Sequence, residues 1–332
     1  MGLFGTRRVD VLTMGRIGVD IYPLQHNVGL EDVTSFGKFL GGSPTNVAVA
    51  AARLRRSAAV VTAVGDDPFG RFCRAEMGRL GVFDDFVTID QALTTPVTFC
   101  EIFPPDNFPL YFYRQPTAPD LRLTGEDLPR EAIREAKVFW VTLTGLSSEP
   151  SRSTHLEALA IRNRAPWTIL DLDYREQFWD SPTAATAAIA EALPRVRIAV
   201  GNQAECEVAV GERDPERAAA ALLERGVELA VVKLGPDGAL AMDAAGTIRV
   251  AGTQVDVVNG LGAGDAFGGA LCSGLVKGWP LADTLQAASA SGAIVASRLE
   301  CSTAMPSEPE LLAAVRRHPA AVTLTPHPKE PR

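Results

Sequence analysis

Apolar positions along the chain follow two alternating patterns. Short runs such as "VDVLTMG" at 9–15 and "AAVVTAVG" at 58–65 are almost continuously apolar and β-branched, and helical-period segments follow them near 44–55 and 68–80. The alternation resumes with "KVFWVTL", "WTILDLD", "VRIAVGN" and "LAVVKLG", separated by Ala-rich sequence such as "DPERAAAALLERG". Strands apolar on both faces and spaced by helices predict an α/β fold whose mostly parallel central sheet is covered on both sides.

Two stretches break the pattern. Residues 95–114, "TPVTFCEIFPPDNFPLYFYR", read as two strands joined at "PPDN", and residues 16–40 lack a helical period. Together they predict a small β-sheet outside the main one, a lid built from segments at about 16–40 and 95–120; the competing reading is an edge hairpin of the main sheet. Beyond "LGAGDAF" the chain turns helical. Residues 319–332 are rich in proline and polar residues, which predicts a poorly ordered tail after one domain spanning 8–318.

Composition narrows the function. In 332 residues, 46% of them hydrophobic, there is enough apolar material for one large core. Lys and Arg number 32 against 40 Asp and Glu, a net charge of -8 that argues against a nucleic-acid partner. No run approaches the roughly 18 apolar residues of a membrane span, so no membrane partner is expected. Cys73, Cys100, Cys206, Cys272 and Cys301 are widely spaced and form no CxxC pair, which suits a reducing cytoplasm and no zinc site. The opening "MGLFGTRRVD" formally fits a myristoylation pattern and a twin arginine, but it runs at once into a strand and is expected to be a frayed terminus. His26, His155, His318 and His327 sit in no catalytic motif.

The chemistry concentrates in "VVNGLGAGDAF", residues 257–267. A glycine-rich turn opening a helix presents unpaired N–H groups and the positive end of the helix dipole, an anion cradle. Its spacing fits neither GxxxxGK[ST] nor the dinucleotide GxGxxG, which disfavours a nicotinamide dehydrogenase. Asp265 beside the cradle reads in two ways. It is a first-turn charge on the helix, or it is a base that accepts a hydroxyl proton while the cradle holds a phosphoryl group and the dipole keeps the carboxylate ionised.

"GLGAGDAF", preceded in the chain by "GGSPTN" at 41–46, resembles the paired signatures of the ribokinase-like, or PfkB, carbohydrate kinases over about residues 8–318. The resemblance implies a three-layer α/β/α sandwich with a mostly parallel central sheet and a small β-sheet lid. It implies Asp265 as catalytic base, with the amides of Gly262, Ala263 and Gly264 holding the transferring phosphoryl and the nucleotide. Asn202 and Glu205 of "GNQAEC" would place Mg²⁺ and the phosphates, Glu205 through water, and Lys233, Gly235 and Gly238 of "VVKLGPDGAL" would line ATP. Asp20, Gly42 and Asn46 would hold the sugar. Read without the family, the same residues are a helix cap (Asn202 with Glu205), a β-turn (Gly235, Gly238), a loop Asp and a helix-start Asn. The family's usual Thr before GAGD is Leu261 here, which leaves the amides in place but alters a side chain near the nucleotide.

Which sugar is narrowed by arginines. Arg114 ends the lid hairpin, and "DLDYREQFW" presents Asp173 and Arg175 just after a strand, where open α/β sheets bind ligands. A neutral sugar does not need a guanidinium, whereas a sugar acid does. A charge-assisted hydrogen bond contributes about 1.5–3 kcal/mol. The competing reading pairs these arginines with neighbouring carboxylates such as Asp120 or Asp173. "FYRQPTAPDL", "LDLDYR" and "AMPS" add a likeness to the branch of the family that acts on a keto-deoxy sugar acid of myo-inositol catabolism. 2-Keto-3-deoxygluconate, ribose and fructose remain open, as does a non-catalytic sensor. The resemblance further implies ATP and Mg²⁺, a monovalent cation such as K⁺, and a homodimer through the lid.

Overall fold

A computed structural model describes residues 8–326. The chain opens with β1 (Val11–Met14), β2 (Gly18–Pro23), β3 (Phe36–Gly41), α1 (Ser43–Arg53), β4 (Ala58–Gly65), α2 (Pro68–Arg79), β5 (Val82–Phe83) and β6 (Val87–Asp90). After β7 (Val97–Cys100) and β8 (Leu110–Tyr113) come α3 (Arg130–Glu135), β9 (Val138–Thr142), α4 (Ser151–Arg162), β10 (Thr168–Asp171), α5 (Pro182–Ala192) and β11 (Ile198–Asn202). The last third holds α6 (Gln203–Val210), α7 (Pro215–Glu224), β12 (Leu229–Lys233), β13 (Ala239–Asp243), β14 (Gly246–Val250), α8 (Ala263–Lys277), α9 (Leu281–Ala296), α10 (Glu308–Arg317) and β15 (Val322–Pro326).

The main sheet runs β15-β14-β13-β12-β11-β10-β9-β1-β4-β5, with β6 also paired to β4. Its strands are parallel from β12 to β5, and β13 to β15 are antiparallel. The period-2 geometry of a strand sends neighbouring side chains to opposite faces, and two cores result. Val11, Val60, Trp140, Ile169 and Val231 face α1, α8 and α9, while Leu12, Val61, Phe139, Leu170 and Val232 face α4, α5 and α7. This is why the strands read as unbroken apolar runs, and it gives the expected three layers.

The lid is a separate four-stranded sheet, β3-β2-β7-β8, and not an edge hairpin of the main one. β2 pairs with β3 antiparallel and with β7 parallel, so residues 18–41 and 97–113 form one surface. Tyr22, Cys100, Ile102 and Cys301 make a third cluster, against which Phe108, Leu110, Leu261 and Leu299 pack. The lid is thereby seated on the turn that precedes α8. Leu261, the departure from the family's Thr, belongs to this apolar contact.

α1 and α8 meet through small residues. A Cβ on Gly269 would collide with that of Ala50, and one on Gly268 would lie 2.8 Å from Trp140 Cη2. Only glycine lets the two helices approach this closely, and their N-termini converge as a result.

The tail needs a correction. Val322–Pro326 is an ordered edge strand, in register with β14 from Val250↔Val322 to Gly246↔Pro326. Its alternating "VTLTP" pairs with the otherwise open edge of β14, and that backbone demand outweighs the proline content. Residues 327–332 lie outside the described residues, as do residues 1–7 with the expected frayed terminus. Among the described residues no helix is long and apolar enough to cross a membrane, and all five cysteines are free and buried.

Candidate active site

The site is built around the turn into α8. Gly262 is left-handed, with φ 81, and a Cβ there would lie 2.8 Å from Cys301 Sγ, so both conformation and space call for glycine. Buried Asn259 fixes the turn. Its Oδ1 accepts from the Leu261 N–H at 3.0 Å and its Nδ2 donates to the Leu299 carbonyl at 2.7 Å. The Ala263 N–H makes only a long 3.4 Å bond to the Gly260 carbonyl, and the Gly264 N–H has no protein acceptor among the described residues, so this first turn of α8 can still turn amides toward an anion.

Asp265 stands in that first turn, yet its carboxylate is directed at another helix. Oδ1 accepts from Ser43 Oγ and Oδ2 from Asn46 Nδ2, each at 2.8 Å. The helix-charge reading therefore does not account for the side chain. Burial pushes its pKa up and the negative charge of Asp173 adds to this, against Asn46, Ser43 and Arg16. Dehydration thus opposes the helix dipole, and the raised pKa makes the carboxylate a stronger base.

Asp20, on β2, fills the space that Gly41 leaves, since a Cβ on Gly41 would overlap its carboxylate. Tyr22 Oη donates to Asp20 Oδ2 at 2.9 Å and also lies 2.7 Å from Cys301 Sγ. Burial pushes the Asp20 carboxyl up to about 6, with Tyr22 and Arg16 opposing and Asp265 assisting. Gly42 has φ 104, and Asn46, on α1, is buried with Oδ1 unpartnered, an acceptor suited to a sugar hydroxyl.

The raised Asp20 has a consequence for stability. The folded state holds a proton on Asp20 up to about pH 6, whereas the unfolded chain releases it near 3.9. Stability contributed by this group is therefore lost as pH rises from about 4 to about 6 and stays lost above. Asp20→Asn is expected to stabilise the unliganded protein at pH 7.5, by up to about 3 kcal/mol. Urea denaturation at pH 4.5 and 7.5 checks this: the variant's advantage should grow with pH, and an advantage independent of pH would contradict the assignment.

The predicted arginines are already engaged. Arg114 Nη2 donates to buried Asp120 Oδ2 at 2.8 Å, and its guanidinium lies 5.1 Å from the Phe178 ring centroid. Arg175 pairs with Asp173 Oδ1 at 2.8 Å. Asp173 is held below the ordinary carboxylate value by Arg175, Arg16 and Lys233 despite its burial.

On the nucleotide side, Asn202 and Glu205 form a capping box at the start of α6, Asn202 Oδ1 accepting from the Glu205 N–H at 2.9 Å and Glu205 Oε2 from the Asn202 N–H at 2.7 Å. Lys233 Nζ lies 3.5 Å from both Glu205 Oε2 and Asp171 Oδ1, and a Cβ on Gly264 would be 3.5 Å from the same ammonium. A protonated lysine thus borders the cradle, kept charged by Asp171 and Glu205 against its burial. Burial pushes Asp171 up although Lys233 opposes it. Two carboxylates beside a phosphate cradle fit Mg²⁺, which keeps most of its water and takes few protein ligands. Gly235 and Gly238 both have positive φ; nothing lies within 4 Å of a Cβ on Gly235, while one on Gly238 would strike the Val250 carbonyl oxygen. Gly235 leaves open space, and Gly238 is required by the chain itself.

The geometry adds Ser43, Arg16, Tyr22, Asn259 and Asp171 to the residues expected from sequence. Ser43 lies inside "GGSPTN" and was within reach of motif reading. Asn259 and Asp171 lie inside "VVNGLGAGDAF" and "LDLDYR", where sequence alone assigns them no role of their own, and Arg16 and Tyr22 carry no pattern that separates them from a strand-end charge or a core tyrosine.

Residues 9–308 match the profile described as "pfkB family carbohydrate kinase". A 5-dehydro-2-deoxygluconokinase of Shouchella clausii is 32% identical over 314 residues, 93% of this chain and 96% of that one. Among solved structures, aminoimidazole riboside kinase of Salmonella enterica, complexed with aminoimidazole riboside and an ATP analog, is 28% identical with a TM-score of 0.78, covering 92% of this chain and 99% of that one. A double mutant of Vibrio cholerae fructokinase, bound to fructose, ADP and a potassium ion, is 27% identical with a TM-score of 0.82, covering 91% and 97%. The architecture is ribokinase-like, as the paired signatures imply.

Proposed function

The chain belongs to the pfkB family of carbohydrate kinases, phosphotransferases with an alcohol group as acceptor, and from that premise we propose that its substrate is 5-dehydro-2-deoxy-D-gluconate. The terminal hydroxyl would attack the γ-phosphorus of ATP, giving the 6-phosphate and ADP. Asp265 takes the hydroxyl proton as the new P–O bond forms and the bond to the leaving ADP breaks. The observation that carries the chemistry is that Asp265 stands at the α8 cradle with both oxygens oriented by Ser43 and Asn46.

Each remaining role follows from placement. The amides of Gly262, Ala263 and Gly264 and the ammonium of Lys233 offset charge on the transferring phosphoryl. Glu205, through water, and Asp171 would hold Mg²⁺, which supplies charge compensation along the phosphates. Asn202 orients Glu205, and Gly235 gives the nucleotide room. Asp20 and the free Oδ1 of Asn46 bind sugar hydroxyls, with Gly42 setting their spacing. The lid, seated on the turn before α8, excludes water that would otherwise consume ATP.

The acid substrate is supported by the 5-dehydro-2-deoxygluconokinase relative and by three arginines near the sugar end. The same reading places the enzyme in myo-inositol catabolism and, with five buried free thiols, in the cytoplasm. It includes a K⁺ ion, in line with the potassium-bound fructokinase. It also includes a homodimer through the lid, whose surface exposes Phe36, Tyr111 and Tyr113.

The test is ADP release with ATP and Mg²⁺, comparing 5-dehydro-2-deoxygluconate, 2-keto-3-deoxygluconate, ribose and fructose at matched concentrations. The first is expected to lead by at least about tenfold in kcat/KM, the minimum for one charge-assisted contact. A leading neutral sugar would overturn the acid assignment, and no turnover with any of them would favour a sensor.

A further inference from the structure

Arg16 joins β1 to β2 and is 9% exposed, yet its guanidinium is poorly matched to its surroundings. Nε is buried without any acceptor. The nearest carboxylate oxygen, Asp173 Oδ2, is 3.6 Å from Nη2, beyond good hydrogen-bond length, and that oxygen too is buried without a hydrogen-bond partner. The group lies 5.7 Å from the ring centroid of Phe112, on lid strand β8, so it stands where the lid meets the main sheet. Its charge acts on Asp20, Asp173 and Asp265 alike. Buried polar groups are normally satisfied, and a buried guanidinium Nε without an acceptor, beside an equally unpartnered carboxylate oxygen, is an exception that needs a cause.

We propose that Arg16 is a specificity-determining residue that donates to the carboxylate of the sugar acid, with Asp173 holding the guanidinium until substrate arrives. This rests on the sugar-acid reading above. The other arginines are less free. Arg114 has a full 2.8 Å partner in Asp120, and Arg175 has one in Asp173, although the Arg175 Nε is, like that of Arg16, buried without an acceptor. Arg16 alone of the three lacks a carboxylate at hydrogen-bond distance, and a planar fork matches a carboxylate in two bonds. A substrate carboxylate would satisfy Nε and Nη together while Asp173 stays with Arg175.

The experiment compares wild type, Arg16→Lys and Arg16→Gln with the keto-deoxy acid and with its C1 carboxamide, measuring kcat and KM separately, together with KM for ATP and the melting temperature. Wild type should prefer the acid by about tenfold or more. Both variants should raise KM for the acid by at least about tenfold, with kcat, KM for the amide and KM for ATP near wild type; Arg16→Lys keeps a positive charge beside Asp173 and guards against loss of fold. Retention of the acid preference in Arg16→Lys and Arg16→Gln overturns the inference and leaves the sugar-acid reading intact. Equal losses on acid and amide with a lowered melting temperature overturn it as well, in favour of a structural role. A wild type without acid preference overturns the reading itself and this inference with it.

Discussion

Asp265→Asn is expected to lower kcat by about 10²–10⁴-fold, the range for loss of a general base, with KM for ATP little changed. The substitution is nearly isosteric, and its surroundings can absorb it. Ser43 Oγ can still donate to the new amide oxygen, and Asn46 can turn its unpartnered Oδ1 toward the new NH₂. Folding should therefore survive, and only the capacity to take a proton is removed. Steady-state rates and nucleotide binding measured on the same preparation check this. Turnover within a few-fold of wild type would mean that the carboxylate merely orders α1 against α8.

Gly42→Ala should do damage of a different kind. The residue sits at φ 104, which side-chain-bearing residues rarely adopt, and a Cβ would strike the Arg16 carbonyl oxygen and lie 2.8 Å from Ile17 Cα. The obstacles are backbone atoms and cannot rotate aside. The β1–β2 connection and the start of α1 must part, and Arg16, Asp20, Ser43 and Asn46 move with them. A destabilisation of roughly 2–4 kcal/mol follows from strained φ and overpacking together, with kcat/KM reduced by at least about tenfold through misplacement of the substrate groups. Gly278→Ala is the matched control: it too has positive φ, 68, but nothing lies within 4 Å of its Cβ, so it carries only the conformational cost. Equal melting temperatures for the two variants would refute the steric argument.

The layers were legible because the parallel strands are buried on both faces, so runs such as "AAVVTAVG" admit few other structures. The lid was legible from the missing helical period. β15 was not, because pairing to an open edge is decided by the partner strand and not by local composition. Within the site, the motif located Asp265, but only geometry separated a base from a first-turn charge. Asn202 and Glu205 are engaged as the ordinary cap that their spacing suggests, and Arg114 in the ion pair that was its competing reading. Their part in binding remains the proposal made above. Arg16 left no mark in the sequence: its mismatch is a matter of one unpartnered nitrogen and a 3.6 Å gap, and neither is written in residue order.

The seating of the lid on the turn before α8 also bears on how such a protein can change. Asp20 and Phe112 reach the site from lid strands β2 and β8, whereas Asp265, Lys233 and Glu205 reach it from the main sheet and its helices. The two are joined by the cluster around Tyr22, Ile102 and Cys301, with the Tyr22 hydroxyl 2.7 Å from Cys301 Sγ, and by Val19 and Leu40, which pack into the main core. Under the proposed assignment, acceptor recognition is shared, Asp20 coming from the lid and Asn46 and Arg16 from outside its strands, while the phosphate chemistry stays with the main body. Exchanging the lid between relatives would then carry over only part of an acceptor preference.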